Sequence, residues 1–497
     1  MKRVQVTLSD GVVEGVEEAG VRRFLSLPYA APITQERRFR EPQPVERWSG
    51  VRDATKRGPR APQSIPEPMN GLDVDAMMGT PGPEGPDYLT LNVFTREDAK
   101  SLPVMVYIHG GGFVGGSKDV PAYDGSAFAR DGVVCVVINY RLGIEGFLPA
   151  SAIPTNLGLR DMIAALEWVR DNIDVFGGDP GAVTVFGESG GAWCIVTLIA
   201  SPLAKGLFRR AICMSGHGYG SRSIGHMQKV VKRLAKHLRI GPDRAGFASV
   251  PIEKIPPAQV WVTTPRLLFN MKDRDGYDPS FGVTRFFTVH GDDVLPVETM
   301  KALGQGAGRD IDLLIGTTSE EANLFIALGG MAGKMKRWMA VMFMSKALPK
   351  PRDALRAYGL DQPGAQPGDV AARALTDLMF RAMTRRTAEL HKGRSWVYEF
   401  EWRSPALGGA VGAAHSIEVP FVFDTLALAA GPNGLLGENP PQALADSIRA
   451  IWIRFATDGT APWPQFDAET RQVYSLTRGV AEHEPPTPAV AFLPTQG

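Results

Sequence analysis

Thr184-Val185-Phe186-Gly187-Glu188-Ser189-Gly190-Gly191-Ala192 decides how this chain is read. An apolar β-type run, Ala182 to Phe186, stops at Gly-x-Ser-x-Gly, and a helix-compatible run, Ala192 to Ala200, follows at once. Strand, Gly-x-Ser-x-Gly and helix in that order make a nucleophile elbow. The turn is too sharp for side chains two residues either side of the serine, and Gly187 and Gly191 remove them. The Ser189 hydroxyl is then lifted clear of the sheet. The Gly190 N–H falls at a helix start, where negative charge is stabilised.

Around this centre the segments alternate. Leu102–Ile108 and Gly132–Asn139 are uninterrupted apolar strands, the pattern of a sheet covered on both faces. Leu159–Phe176 is an amphipathic helix with Met162, Ile163, Leu166, Val169 and Ile173 on one side. Further strands are expected at Leu89–Phe94, Arg210–Met214 and Ile311–Gly316. Short β-type runs with Gly turns fill residues 1–30. Arg394–Trp402 alternates like a half-buried strand. Helices are expected near 227–239 and over Ala372–His391. Met331, Met335, Met339, Met342 and Met344 mark a helix-like stretch, either a core or lid helix or an adaptable pocket wall. Residues 56–87 read as a long surface loop, and the Pro-rich end from about 484 as a loosely held tail. Strands alternating with helices predict an α/β fold around a mostly parallel sheet.

Composition excludes several classes. With 44% apolar and 22% charged residues, the chain of 497 residues is an ordinary globular protein with a large core. A net charge of +1 gives no electrostatic case for nucleic acid or a membrane surface. No run of about 18 apolar residues is present, and Ser9-Asp10-Gly11 interrupts the start, so neither a membrane span nor a signal peptide is expected. Cys135, Cys194 and Cys213 all lie in apolar runs and read as free core thiols in a reducing compartment. No metal-ligand spacing of Cys or His is found, and no cofactor is called for.

A serine hydroxyl needs a base and a group that orients the base. On this kind of sheet the chain order is nucleophile, acid, histidine, which excludes His109. Of the seven later histidines, His237 and His391 fall on helices, His391 near a C-terminus where a cation is favoured, and His483 lies in the tail. His217, His226 and His290 precede the candidate acids, which leaves His415 as the leading base. Glu320 and Glu321 follow the strand ending at Gly316; either serves as the acid, or both are solvated surface charge. His109-Gly110-Gly111-Gly112-Phe113 after a buried strand offers bare N–H groups for an oxyanion.

These residues resemble the type-B carboxylesterase family, which includes cholinesterases and bacterial p-nitrobenzyl esterases. The likeness runs from Phe24–Ala30 through Arg38-Phe39, Trp48-Ser49-Gly50, Leu91-Asn92-Val93, His109–Phe113 and Asn139–Gly143. It continues through Phe176–Pro180 and Phe186–Ala192 to Pro420–Phe423. It implies an α/β-hydrolase fold, one domain over 1–497, with insertions near 60–87, 217–285 and 326–395 forming a pocket lid. It implies Ser189 as nucleophile, Gly111, Gly112 and Gly190 as oxyanion donors, and Glu321, five residues beyond Gly316, as acid. It selects His415, which precedes Glu418-Val419-Pro420-Phe421, as base. Glu188 and Glu418 are implied as supporting polar contacts, and Phe113, Leu324 and Phe325 as pocket lining. Gly190 and Ala322 depart from the family's usual Ala and Gly. Ala61 and Tyr88 stand where the family's first disulfide would be.

The expected function is a serine carboxylesterase acting on uncharged short-to-medium acyl or aryl esters, without cofactor or metal. Its expected setting is the cytoplasm of a bacterial-type cell, as a monomer or small homo-oligomer. An aryl carbamate or amide hydrolase with the same triad is the enzymatic alternative. A non-catalytic, cholinesterase-like interaction protein is the remote one.

Overall fold

The computed structural model describes residues 1–64, 71–79, 82–264, 270–326, 328 and 330–494. Parts of the stretches expected at 56–87, 217–285 and 326–395, including Met69, lie outside the described residues. Strands β1 (Lys2–Thr7), β2 (Val12–Glu18), β3 (Val21–Pro28) and β4 (Val51–Asp53) open the chain. Then come β5 (Thr90–Arg96), β6 (Leu102–Ile108), β7 (Val134–Ile138), β8 (Gly178–Glu188) and β9 (Arg210–Met214). A short pair, β10 (Ser221–Ser223) and β11 (Thr288–His290), stands apart from the main sheet. The chain closes with β12 (Asp312–Thr318), β13 (Ser395–Phe400), β14 (Gln472–Ser475) and β15 (Val480–His483).

Among the described residues one 13-stranded sheet runs in the order β1-β2-β3-β5-β7-β6-β8-β9-β12-β13-β14-β15, with β4 beside β2. From β7 to β14 every neighbour is parallel; β1-β2-β3-β5-β7 and β14-β15 are antiparallel. The sheet is therefore mixed, with its parallel part in the middle. Helices cover both faces of that part, so the residues of β6 from Val104 and all of β7 and β9 are buried. The helix Leu157–Asn172 puts Met162, Leu166 and Val169 wholly into this core. Each such side chain contributes about 1.5–3 kcal/mol by leaving water.

Several expectations are corrected. β13 is not half-buried: it lies between β12 and β14, so Trp396, Val397 and Tyr398 are all covered. Its alternation reflects the aromatics Trp396, Tyr398 and Phe400 packing on one face while Val397 packs on the other, so neither side is wet. The methionine stretch is α-helical only over Arg337–Ser345, after a single 3₁₀ turn at Ala332–Lys334; Met344 is buried and Met342 exposed. The loop at 56–87 is more than a surface excursion. It holds a short helix at Asp75–Met78 and buries Ala61, Leu72, Ala76 and Met77. The helix expected over Ala372–His391 is present but starts earlier, running from Pro367 to Leu390 with a π-helical turn at Asp377–Arg381 in its middle. The tail is fastened. Glu484 accepts from buried Arg385 at 2.8 and 2.9 Å, and the Ala489 N–H donates to Tyr358 Oη. The three cysteines are free and buried, and burial raises their thiol pKa values. No helix among the described residues is long and apolar enough to cross a membrane.

Candidate active site

The parallel strands deliver their C-terminal ends to one place. β8 ends at Glu188, and the helix Gly190–Ile199 starts two residues on. Ser189 between them takes φ 54° and ψ −124°, a conformation side chains other than glycine rarely adopt. Its N–H donates to the Met214 carbonyl and its own carbonyl accepts from Trp193, so the turn is held at both ends. Sterics explain the flanking glycines. A Cβ on Gly191 would stand 2.1 Å from the Ile108 carbonyl oxygen, and one on Gly187 at 2.5 Å from the same atom.

The segment after β12 brings Glu321, and the loop before the helix Val419–Phe423 brings His415. His415 Nε2 lies 2.8 Å from Ser189 Oγ, and His415 Nδ1 lies 2.6 Å from Glu321 Oε2. Glu321 is fully buried, and its other oxygen accepts from Ser215 Oγ at 2.6 Å and from the Thr318 N–H at 2.8 Å. Glu320 is partly exposed. It pairs with Arg403 and accepts from the Ala413 N–H, so it fastens the loop that leads to His415. Of the two adjacent acids, only Glu321 reaches the imidazole.

The glycine loop after β6 faces the same point. Gly111 and Gly112 have φ 102° and 60°. The Gly111 carbonyl accepts from Val114 and Gly115, while the N–H groups of Gly111, Gly112 and Gly190 donate to no other described residue. A Cβ on Gly190 would sit 3.3 Å from the Gly112 nitrogen, so loop and helix start are in close apposition. The segment after β7 props this loop. Tyr140 Oη donates to the His109 carbonyl at 2.7 Å, its ring stacks on His109, and the Gly143 N–H donates to the Phe113 carbonyl. Burial holds His109 down to about 4, so it is a neutral packing group. Arg141, fully buried, is clamped by both carboxylate oxygens of Asp161 at 2.6 and 2.8 Å, which fixes the prop.

Two more carboxylates lie close. Glu188 Oε1 is 3.1 Å from His415 Nε2 and accepts from Ser416 Oγ at 2.6 Å. Burial raises the Glu188 pKa; the His415 charge and the Ser416 hydroxyl pull against it. Glu418 is wholly buried with no hydrogen bond to either carboxylate oxygen among the described residues. Burial, then Glu321 and Glu188, push its pKa well up, which favours its neutral form. Burial alone would depress the His415 imidazolium, but Glu188 and Glu321 outweigh it and push the pKa up to about 9.

The expected pocket residues separate. Phe325 is partly exposed, 5.8 Å from the His415 ring between centroids, and Leu324 is half-buried beside it. Phe113 is corrected: its ring is fully buried between Phe147 and Trp193 and belongs to the core. Residues not foreseen are Ser215, Ser416 and Phe380. Phe380 lies 4.8 Å from the His415 ring and parallel to Phe325. A serine directly after β9, the strand beside the elbow strand, was the available sign for Ser215. His391 stands at the end of the helix Ala382–Leu390 as expected, but not as the cation that position favours. It is buried, bonded to Ser395 and Gly308, and its pKa is lowered by burial.

A model of the carboxylesterase family matches residues 2–493, nearly the whole chain. The chain belongs to the carboxylesterase family. This carboxylesterase is 35% identical to the para-nitrobenzyl esterase of Bacillus subtilis (strain 168), over 97% of this chain and 96% of that one. It is 33% identical to the phenmedipham hydrolase of Pseudarthrobacter oxydans, over 92% of each. Among solved structures, a PNB esterase superposes with a TM-score of 0.83 at 31% identity, covering 99% of this chain and 100% of the other. A Geobacillus stearothermophilus carboxylesterase gives 0.81 at 31%, covering 97% and 98%. The α/β-hydrolase fold and carboxylic-ester hydrolysis follow for this carboxylesterase.

Proposed function

We propose that the carboxylesterase works through an acyl-enzyme on Ser189. His415 Nε2 takes the Ser189 proton as Oγ attacks the ester carbonyl, and Glu321 holds the imidazolium that results. The N–H groups of Gly111, Gly112 and Gly190 stabilise the oxyanion. The proton on His415 then leaves with the alcohol. Water, deprotonated by the same imidazole, attacks the acyl carbonyl and frees Ser189. The observation that carries this reading is the unbroken contact from Ser189 Oγ through His415 to Glu321, at 2.8 and 2.6 Å.

Glu188 tunes the base. His415 must be neutral to accept a proton, and a carboxylate 3.1 Å from Nε2 favours its charged form. Activity therefore rises with pH as His415 loses its proton, above the usual histidine range. In Glu188→Gln the imidazolium loses a partner, so the acid limb of kcat/KM moves to lower pH, by about one unit. A limb that stays put or moves up in a pH–rate comparison would refute that role.

The preferred substrates are uncharged short-to-medium acyl or aryl esters. A quaternary ammonium is best held by aromatic faces, worth roughly 0.5–2 kcal/mol each. The sequence from Met69 to Asp87 has none, and Leu324 stands three residues after Glu321. Phe325 and Phe380 flank His415 as an apolar wall. The test is kcat/KM for butyrylcholine against the isosteric ester with carbon in place of nitrogen. The neutral ester is expected to be turned over better, and a clear preference for the cation would overturn the assignment.

We also read the chain as one domain, because β1 and β15 are the two edges of a single sheet among the described residues. A cytoplasmic setting is inferred from three buried thiols with no disulfide among the described residues.

A further inference from the structure

β10 and β11 form a short parallel ribbon away from the main sheet. Arg222 and His290 from this ribbon line a cavity of about 840 Å³ whose walls do not include Ser189, Glu321 or His415. Arg222 is more than nine-tenths buried, with its guanidinium 5.2 Å from the centre of the Phe287 ring. Its nearest acids, Asp278 at 3.8 Å and Asp273 at 4.0 Å, are too far for hydrogen bonds. Among the described residues its Nε and Nη2 donate no hydrogen bond, and the buried Nδ1 atom of half-buried His290 has no partner either. His226 Nε2, on the same wall, is a third such group among the described residues; buried polar groups without partners are rare, and three on one wall call for an acceptor. Nε and Nη2 form one edge of the guanidinium, the edge that takes two oxyanion oxygens side by side.

The rest of the wall has the matching charge. The helix Ile224–Leu238, capped by Ser223, starts at the cavity, with Gly225 in the lining. Lys229, Arg274 and Lys301 add exposed cations. Two of the acids present are already engaged. Glu298 accepts from the N–H groups of Met300 and Lys301, and Asp273 from those of Asp275 and Tyr277. Asp275 is exposed and is the remaining carboxylate on the wall.

We propose that this cavity binds a small organic molecule through a phosphate group, with two phosphate oxygens on the Arg222 edge. A planar carboxylate would be satisfied by that edge alone. A tetrahedral dianion has acceptors left for His290 and for the positive end of the helix. The volume, in the usual range of small-molecule sites, leaves room for an organic body beyond the phosphate.

The test is titration calorimetry on the full chain with inorganic phosphate and with glycerol 3-phosphate at low ionic strength. Saturable binding of both is expected, tighter for the organic phosphate. Arg222→Gln should weaken it by about tenfold or more, the scale of a lost charge-assisted pair. Because Arg222 is buried, a second variant, Lys229→Gln with Lys301→Gln, changes only exposed residues and should also weaken binding and reduce its salt dependence. No saturable binding by the unaltered protein overturns the site. So does unchanged affinity in the lysine pair or in a folded Arg222→Gln. Equal or tighter binding of inorganic phosphate overturns the organic-phosphate assignment.

Discussion

Ser189→Ala lowers kcat for p-nitrophenyl esters by about 10⁶, and His415→Ala lowers it by about as much, because nucleophile and base act as one unit. Removing both costs no more than removing either. Without Oγ, the 2.8 Å contact to Nε2 has nothing to deliver, and without the imidazole the hydroxyl keeps its proton. The glycine N–H groups and substrate binding should remain and leave roughly 10³–10⁴ over the uncatalysed rate. Steady-state kinetics on the two single variants and the double variant measure this. Strictly multiplicative losses would mean that the two residues do not share a step. An organophosphate label on any residue other than Ser189 would overturn the nucleophile.

Glu321→Gln has the second largest effect, about 10⁴ in kcat, whereas Glu320→Gln stays within a few-fold of the parent enzyme. The amide is nearly the shape of the carboxylate, so little packing is lost. What changes is the 2.6 Å contact to His415 Nδ1. An amide cannot balance the imidazolium charge, and its NH2 group can favour the wrong tautomer. Glu320 faces Arg403 and the Ala413 N–H, so its loss loosens a loop without touching the proton path. Parallel kinetics on the two variants decide between the acids. A larger loss in Glu320→Gln would reverse the assignment.

How far the sequence could be read depended on the range of the interactions. The elbow was legible because its cause is local: an apolar run, two glycines and a helix start within a dozen residues. The strands at Leu102–Ile108 and Arg210–Met214 were legible for the same reason. The order of nucleophile, acid and histidine narrowed the base to His415. Choosing Glu321 over Glu320 needed the family resemblance, since adjacent residues of one type carry no local difference. Ser215, Ser416 and Phe380 escaped because each acts across a long loop. Ser215 meets Glu321 over 106 residues, and Ser416 meets Glu188 over 228. Phe380 rides a π-helical turn that the helical periodicity around it conceals. Phe113 was misplaced because an aromatic beside an oxyanion loop reads equally as pocket wall or as packing. Only its neighbours, Phe147 and Trp193, decide. The tail looked loose because its anchors, Arg385 and Tyr358, lie 99 and 131 residues away in sequence.

The order of strands across the sheet bears on how the chain is made. Apart from the exchange of β6 and β7, and β4 at the side of β2, that order follows the order of synthesis. A chain emerging from the ribosome can therefore add each later strand except β6, which waits for β7, to a neighbour already present. The exposed apolar edge moves along as the chain grows. The final edge, β15, is Val480-Ala481-Glu482-His483, largely exposed and carrying charge, and the first edge begins with Lys2 and Arg3. Charged borders of this kind discourage further pairing with other chains. On the mechanism proposed above, Ser189 is translated well before His415, so a nascent chain that ends before His415 lacks the Nε2 contact to Ser189 Oγ and is expected to be catalytically silent.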